Sequence, residues 1–270
     1  MHLIDKIRSL LPNRSKPKIG IALGGGGARG FAHLGVIKAI KEQGIEFDMI
    51  SGSSAGSIAG AFIAAGIDPV DTCDILKEKN MFGYSKFRLP TGGLFGLNGL
   101  SDLIKEKIPF ENIEDLPIPF SATVTNLNTG RAEYFSNGSI AQAVTASSSI
   151  PFIFKPLEIN GKKYADGGII DNLPVKPLEH HCQKIIAVSI SPISETQDLD
   201  SLTKIVGRAF QLSINAQNHQ IKDKCDIYIE PKGIRKYDIF SIGQAEELFE
   251  KGYQSLAKRD LKKELGLAHN

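Results

Sequence analysis

The sequence predicts an α/β fold, a parallel sheet with helices on both faces, and two observations carry that prediction. A strand–loop–helix unit occurs twice within the first part of the chain, up to Ala65. Towards the other end a strand, a helix, a further strand and a last helix follow one another in the same way. At 270 residues the chain is long enough for one sizeable core. No internal repeat or low-complexity linker divides it. One domain over 18–265 is expected, preceded by an extension over 1–17.

The first unit opens with KIGIAL at 18–23, an apolar run suited to a buried strand, and continues into the glycine cluster at 24–27. From Ala28 the pattern turns helical. Phe31, Ala32, Gly35, Val36, Ala39 and Ile40 share one face, while Lys38, Lys41 and Glu42 lie on another. Gly44 stands where a helix stop belongs. The second unit runs from an apolar strand at 47–50 through 51–56 into an alanine-rich helix at 57–65, ended by Gly66 and Pro69. A looser stretch punctuated by Gly and Pro, FRLPTGGLFGLNGL at 87–100, is expected to cover or line a site. Runs at 119–125 and 132–135 flank Asn128-Thr129-Gly130 and predict a hairpin. Those at 157–159 and 162–165 flank Asn160-Gly161, the strongest short hairpin signal. A buried strand follows at 184–191, a helix at 202–220, a last strand at 226–230 and a charged amphipathic helix at 244–265.

A formal charge of +2 is too small to imply a nucleic-acid surface or an acidic substrate. Cys73, Cys182 and Cys225 are far apart and odd in number, which speaks against a disulfide framework or zinc knuckle and for a reducing, cytoplasmic setting. In the extension, Leu3, Ile4, Ile7, Leu10 and Leu11 recur at helical spacing beside Lys6, Arg8 and Arg14. Two readings stand: a short amphipathic helix resting on the inner face of a membrane, or a helix packed on the domain and followed by a basic linker. No segment reaches the roughly 18 apolar residues that span a bilayer.

Three motifs carry chemistry. Gly52-Ser53-Ser54-Ala55-Gly56 lies at a strand-to-helix turn. Small residues on both sides let the chain bend sharply, so that the Ser54 oxygen projects at a helix N-terminus, where developing negative charge is favoured. A serine hydroxyl needs a base to take its proton as it attacks. None of the six histidines is a strong candidate: His33 follows the glycine loop but lies beside apolar positions, as a packing histidine does. His180 and His181 with Cys182 lack the spacing of a metal-ligand set. Asp166, at the end of a strand and followed by Gly167 and Gly168, can serve instead if burial adjusts its pKa. By itself Asp-Gly-Gly reads equally as a turn.

The remaining motif, Gly25-Gly26-Gly27-Ala28-Arg29-Gly30, fits two functions. Its adjacent N–H groups can turn toward an oxyanion, with Arg29 orienting the loop, sensing the charge or pairing with a carboxylate. Gly25, Gly27 and Gly30 also match a GxGxxG nucleotide fingerprint, which would make the chain an oxidoreductase module; a Rossmann site then wants an acid about 20 residues on, at the end of the second strand, and Asp48 lies at a plausible distance but inside that strand, whose end the serine turn occupies.

Taken together, GGGGARGFAHLGV, GSSAG and DGG resemble the patatin-like phospholipases, closest to bacterial proteins similar to the catalytic region of neuropathy target esterase. ASSSIP at 146–151, Phe154-Lys155-Pro156 and Asn172-Leu173-Pro174-Val175 look like segments of the same family. The resemblance implies a three-layer α/β/α fold and a Ser54–Asp166 dyad without histidine. It places the oxyanion loop at Gly25, Gly26 and Gly27, with Arg29 at its basic position. It also implies cleavage of lipid carboxylic esters through an acyl-enzyme, with no metal or organic cofactor; peripheral contact with a membrane would follow from the amphipathic reading of the extension. A catalytically idle lipid-binding protein on the same fold is the remaining alternative.

Overall fold

Alternation along the first strand sets the architecture. Ile19, Ile21 and Leu23 enter one apolar cluster and Ala22 enters another, so the strand is covered on both faces, as a central parallel strand must be. The computed structural model describes residues 18–78, 97–151, 153–193, 195, 199–218, 221–237 and 243–267. In chain order the strands are β1 (Ile19–Leu23), β2 (Met49–Ser53), β3 (Phe120–Asn126), β4 (Arg131–Phe135), β5 (Leu157–Ile159), β6 (Lys162–Asp166), β7 (Lys184–Val188) and β8 (Ile227–Ile229). The helices are α1 (Phe31–Glu42), α2 (Ala55–Ala64), α3 (Pro69–Glu78), α4 (Asn98–Lys107), α5 (Ile140–Ser147), α6 (Leu202–Asn218), α7 (Ala245–Gln254) and α8 (Leu261–Glu264).

One sheet runs in the order β5-β6-β3-β2-β1-β7-β8, with β4 paired to β3. The five strands from β3 to β8 in that order are parallel, while β4, β5 and β6 join antiparallel. The order reverses at β1. From β1 the chain builds β2 and β3 on one side and later returns to place β7 and β8 on the other. Open α/β sheets bind ligands outside the carboxyl ends of the strands at such a switch point.

The larger apolar layer joins Phe31, Leu34, Ile37 and Phe62 of α1 and α2 to Ile21, Leu23, Ile50 and Phe120 of the sheet. Each such side chain contributes about 1.5–3 kcal/mol on burial. A thinner layer sets Leu173, Val175 and Leu178 on Ala22, Met49, Ile185 and Ala187. Helices lie on both sides of a mostly parallel sheet, as the sequence predicts.

Both hairpins are present, and Asn160 (φ 51°) and Gly161 (φ 74°) take the left-handed backbone that a tight two-residue hairpin needs. Several boundaries differ from the sequence reading. Residues Gly27–Gly30 form a 3-10 turn, and α1 begins only at Phe31. Pro69 opens α3 instead of merely ending its predecessor, because a proline fits the first helical position, where no N–H partner is needed. Helices α4 and α5 are additional to the predicted set. The predicted helix at 244–265 is two helices: the chain breaks after Gln254 and restarts where the Asp260 side chain accepts the Lys263 N–H at 3.0 Å. The extension over 1–17 and most of the stretch at 87–100 lie outside the described residues.

Candidate active site

The serine turn is built by its small neighbours. Gly56 opens α2 so close to β1 that a β-carbon there would overlap the Leu23 carbonyl oxygen, and one at Gly52 would overlap the Gly56 carbonyl. Ser54, between β2 and α2, has φ 50°, a left-handed value rare for a residue with a side chain and a sign of stored strain. Its N–H donates to Ser147 Oγ at 3.0 Å, and its carbonyl accepts the Ser57 hydroxyl at 2.7 Å. Ser54 is 4% exposed.

Asp166 ends β6 and is completely buried. Its N–H donates to the Ser149 carbonyl at 2.9 Å, and its carbonyl accepts the Thr125 hydroxyl at 2.9 Å. Carboxylate oxygen Oδ1 accepts the Gly168 N–H at 2.8 Å. Oδ2 has no partner at hydrogen-bond distance, although the Ser54 hydroxyl is near enough to favour the ionised form. Burial dominates and pushes the Asp166 pKa up to about 7, against the opposing pull of the Ser54 hydroxyl and the Gly168 N–H. Gly167 packs flush beside it: an added β-carbon would overlap the Thr123 carbonyl and come within 2.8 Å of Ser53 Oγ. That close approach brings the Asp166 turn against the serine turn.

In the glycine loop the three glycines are not equivalent. The Gly25 N–H donates to the Asn172 carbonyl at 3.2 Å, so Gly25 faces the site with its bare α-carbon; a β-carbon there would stand 3.0 Å from Ser54 Cβ and 2.6 Å from Asn172 Oδ1. Among the described residues, the N–H groups of Gly26 and Gly27 meet no protein acceptor. The loop is tied from outside by the Ser191 hydroxyl, which donates to the Gly25 carbonyl, and by His33, whose Nε2 lies 2.7 Å from the Gly24 carbonyl. Burial pushes His33 down to about 4, so the ring is neutral near pH 7 and packs the loop. Gly30 closes the 3-10 turn with a helical φ of −53°.

Arg29 takes one of the places its motif allows. The residue is 2% exposed, and its guanidinium donates to four backbone carbonyls: Tyr237 at 2.9 Å, Arg235 at 3.1 Å, Pro192 at 3.2 Å and Ile190 at 3.5 Å. It ties the glycine loop to two later segments, the orienting role among the three the sequence allows. The nucleotide alternative loses its acid as well. Asp48 accepts the Ile19 N–H at 2.7 Å at the start of β1, the opposite end of that strand from the glycine loop. Among the described residues, no group of three or more His, Cys, Asp and Glu side chains is placed to hold a metal ion.

Ser54, Asp166 and the glycine loop therefore meet at the carboxyl ends of β1, β2 and β6. Three residues at the site have no individual role in the sequence reading: Ser147, Ser149 and Asn172. Ser147 and Ser149 hold the backbones of Ser54 and Asp166 respectively, and Asn172 Oδ1 sits between the α-carbons of Gly25 and Gly168. Their signal was the family-like strings ASSSIP and NLPV, which carry no residue-level chemistry without coordinates.

Comparison with known proteins identifies the family and the fold. The patatin-like phospholipase family model matches residues 21–179. An NTE family protein of Mycobacterium tuberculosis is 36% identical over 180 residues, covering 66% of this chain and 50% of that protein. A Kluyveromyces lactis protein named lysophospholipase NTE1 is 30% identical over 278 residues, covering 87% of this chain and 18% of its own length. The chain thus spans half the length, or less, of these relatives. Among solved structures, VipD from Legionella pneumophila shares the fold, with a TM-score of 0.55 and 19% identity over 93% of this chain and 67% of that one. On the family model and the mycobacterial relative together, the chain belongs to the patatin-like phospholipase family.

Proposed function

We propose that this chain is a serine acyl hydrolase that cleaves carboxylic ester bonds of lipids, of phospholipase A, lysophospholipase or esterase type, with Ser54 as nucleophile and Asp166 as base. One observation carries the reading: a completely buried carboxylate, with its pKa pushed up to about 7, lies beside a serine hydroxyl on a strained strand-to-helix turn. A base poised near neutrality accepts a proton in one step and returns it in the next.

In the proposed reaction Asp166 takes the Ser54 proton as Oγ bonds to the acyl carbon, and the carbonyl oxygen becomes an oxyanion. The N–H groups of Gly26 and Gly27 receive that charge, together with the first N–H groups of α2, which begin at Ala55. Asp166 then returns the proton to the departing alcohol, leaving Ser54 acylated. Water attacks the acyl-enzyme with its proton passing to Asp166, and release of the fatty acid restores the Ser54 hydroxyl. The chemistry proposed here needs no metal or organic cofactor. Among the described residues no helix is long and apolar enough to cross a membrane; in this reading the chain meets its lipid at a surface. A fluorophosphonate probe should label the wild type and miss Ser54→Ala; equal labelling of both would end the proposal.

A further inference from the structure

We propose that a cavity tied to the glycine loop through Arg29 is the subsite for the phosphate of a lipid headgroup, an inference that rests on the hydrolase reading. The cavity, about 460 Å³ in volume, lies beyond the carboxyl ends of β7 and β8. Lys222, Lys232 and Arg235 line it together with Tyr228, Glu230 and Asn215. Glu230 accepts the Tyr228 hydroxyl at 3.3 Å and is the one carboxylate among the lining residues, so cations outnumber it three to one. Lysine and arginine residues in the wall of a concave site can recognise a phosphate ester by charge-assisted hydrogen bonds. The Lys222 ammonium stands 4.9 Å from the centre of the Tyr228 ring. Lys222 therefore occupies the ring face that would otherwise attract a quaternary ammonium group.

The cavity is held in register with the proposed reacting atoms. Arg29 donates to the carbonyls of Pro192 and Arg235, and both of those residues line the cavity. Asn215, on a further wall, donates from Nδ2 to the Ser191 carbonyl at 2.8 Å. The Ser191 hydroxyl in turn holds the Gly25 carbonyl, and the Gly25 α-carbon lies against Ser54. Three side chains thus connect the cavity walls to the glycine loop and the serine turn. In a glycerophospholipid the phosphate and the scissile ester are joined by a single glycerol unit. The proposed subsite therefore requires that a phosphate held here leave the ester carbonyl at the loop, turning remote binding energy into orientation.

The test compares three probes: lysophosphatidylglycerol, a neutral aryl ester and free glycerol 3-phosphate. In Lys232→Gln and Arg235→Gln the ratio of kcat/KM on the lysophospholipid to that on the aryl ester should fall about tenfold for each cation removed, through KM. Arg235→Lys should retain most of the ratio. By calorimetry the wild type should bind glycerol 3-phosphate and the double variant should not. An unchanged ratio in the double variant overturns the subsite. Equal binding of inorganic phosphate, with the lysophospholipid KM unaltered in the variants, makes the cavity a free-anion site and overturns the headgroup assignment. Failure of the hydrolase reading looks different: the wild type would escape fluorophosphonate labelling and leave the aryl ester intact, whatever glycerol 3-phosphate does.

Discussion

Ser147 accepts the backbone N–H of Ser54 at 3.0 Å, and two residues later the Ser149 carbonyl accepts the N–H of Asp166 at 2.9 Å. One short segment at the end of α5 therefore fixes the positions of both groups in the proposed dyad, although neither of its serines takes part in the chemistry. Ser147→Ala would leave the buried Ser54 N–H without its acceptor at a residue already holding φ 50°. The expected cost is about 1–3 kcal/mol of stability, with kcat reduced about tenfold or more as the hydroxyl loses its aim. Thermal unfolding and aryl-ester turnover measure the two effects; wild-type values for both would contradict this account of the segment.

Asp166 links activity to pH in a defined direction. Its folded pKa of about 7 stands above the unfolded value of 3.8, so the folded protein holds the proton more tightly. The contribution of the protonated, buried carboxyl is fully present below about pH 4 and is lost as pH rises through 7. Activity has the opposite requirement, since the base must be ionised, and kcat/KM should climb through pH 7 to a plateau. Asp166→Asn should abolish turnover yet melt above the wild type at pH 8. A variant that is inactive and also less stable at pH 8 would show that burial is not what raises this pKa.

His33 produces the reverse slope. Burial lowers its pKa from 6.5 to about 4, so stability contributed by the neutral ring is present above pH 6.5 and is lost as pH falls through 4. Between pH 4 and 6.5 the two buried groups act against each other. Relative to the wild type, melting temperature in that window should slope more upward with pH in Asp166→Asn, which removes the opposing carboxyl, and more downward in His33→Gln, which removes the ring. Parallel curves for the two variants would contradict the assignment.

Arg29 offers a test of its orienting role. Lysine keeps the charge but cannot serve four carbonyls from one planar group. Arg29→Lys should lose about 2–4 kcal/mol and slow labelling of Ser54 by a fluorophosphonate, with the pH dependence of turnover unshifted. A shift in that pH profile would mean that Arg29 acts on the proposed dyad electrostatically.

Two glycine replacements should have opposite signs. In Gly56→Ala the new methyl would collide with the Leu23 backbone, which has no room to yield, and the variant should lose about 3 kcal/mol or more or fail to fold. Gly99, near the start of α4, has nothing within 4 Å of an added β-carbon, and Gly99→Ala should gain about 0.5 kcal/mol. Denaturant midpoints decide both.

Local chemistry alone determined much of this protein. Apolar runs placed the parallel strands, Asn160-Gly161 placed a hairpin, and two glycine-framed motifs marked where strand-to-helix turns would come, because each of these depends on backbone geometry that neighbouring residues dictate. Helix ends were less legible, since Pro69 terminates or initiates a helix with equal local logic, and only the packing of α3 chose between them. The direction of each polar group at the site required the tertiary structure. Gly25, Gly26 and Gly27 are identical in the sequence, yet the Asn172 carbonyl, 147 positions from Gly25 by residue number, takes the amide of the first and leaves the others. Arg29 likewise looks like a charge for the site until the carbonyls of Pro192, Arg235 and Tyr237 surround it. Hydrogen-bond partners and burial come from segments far away in the chain, and no local pattern encodes which of them will arrive.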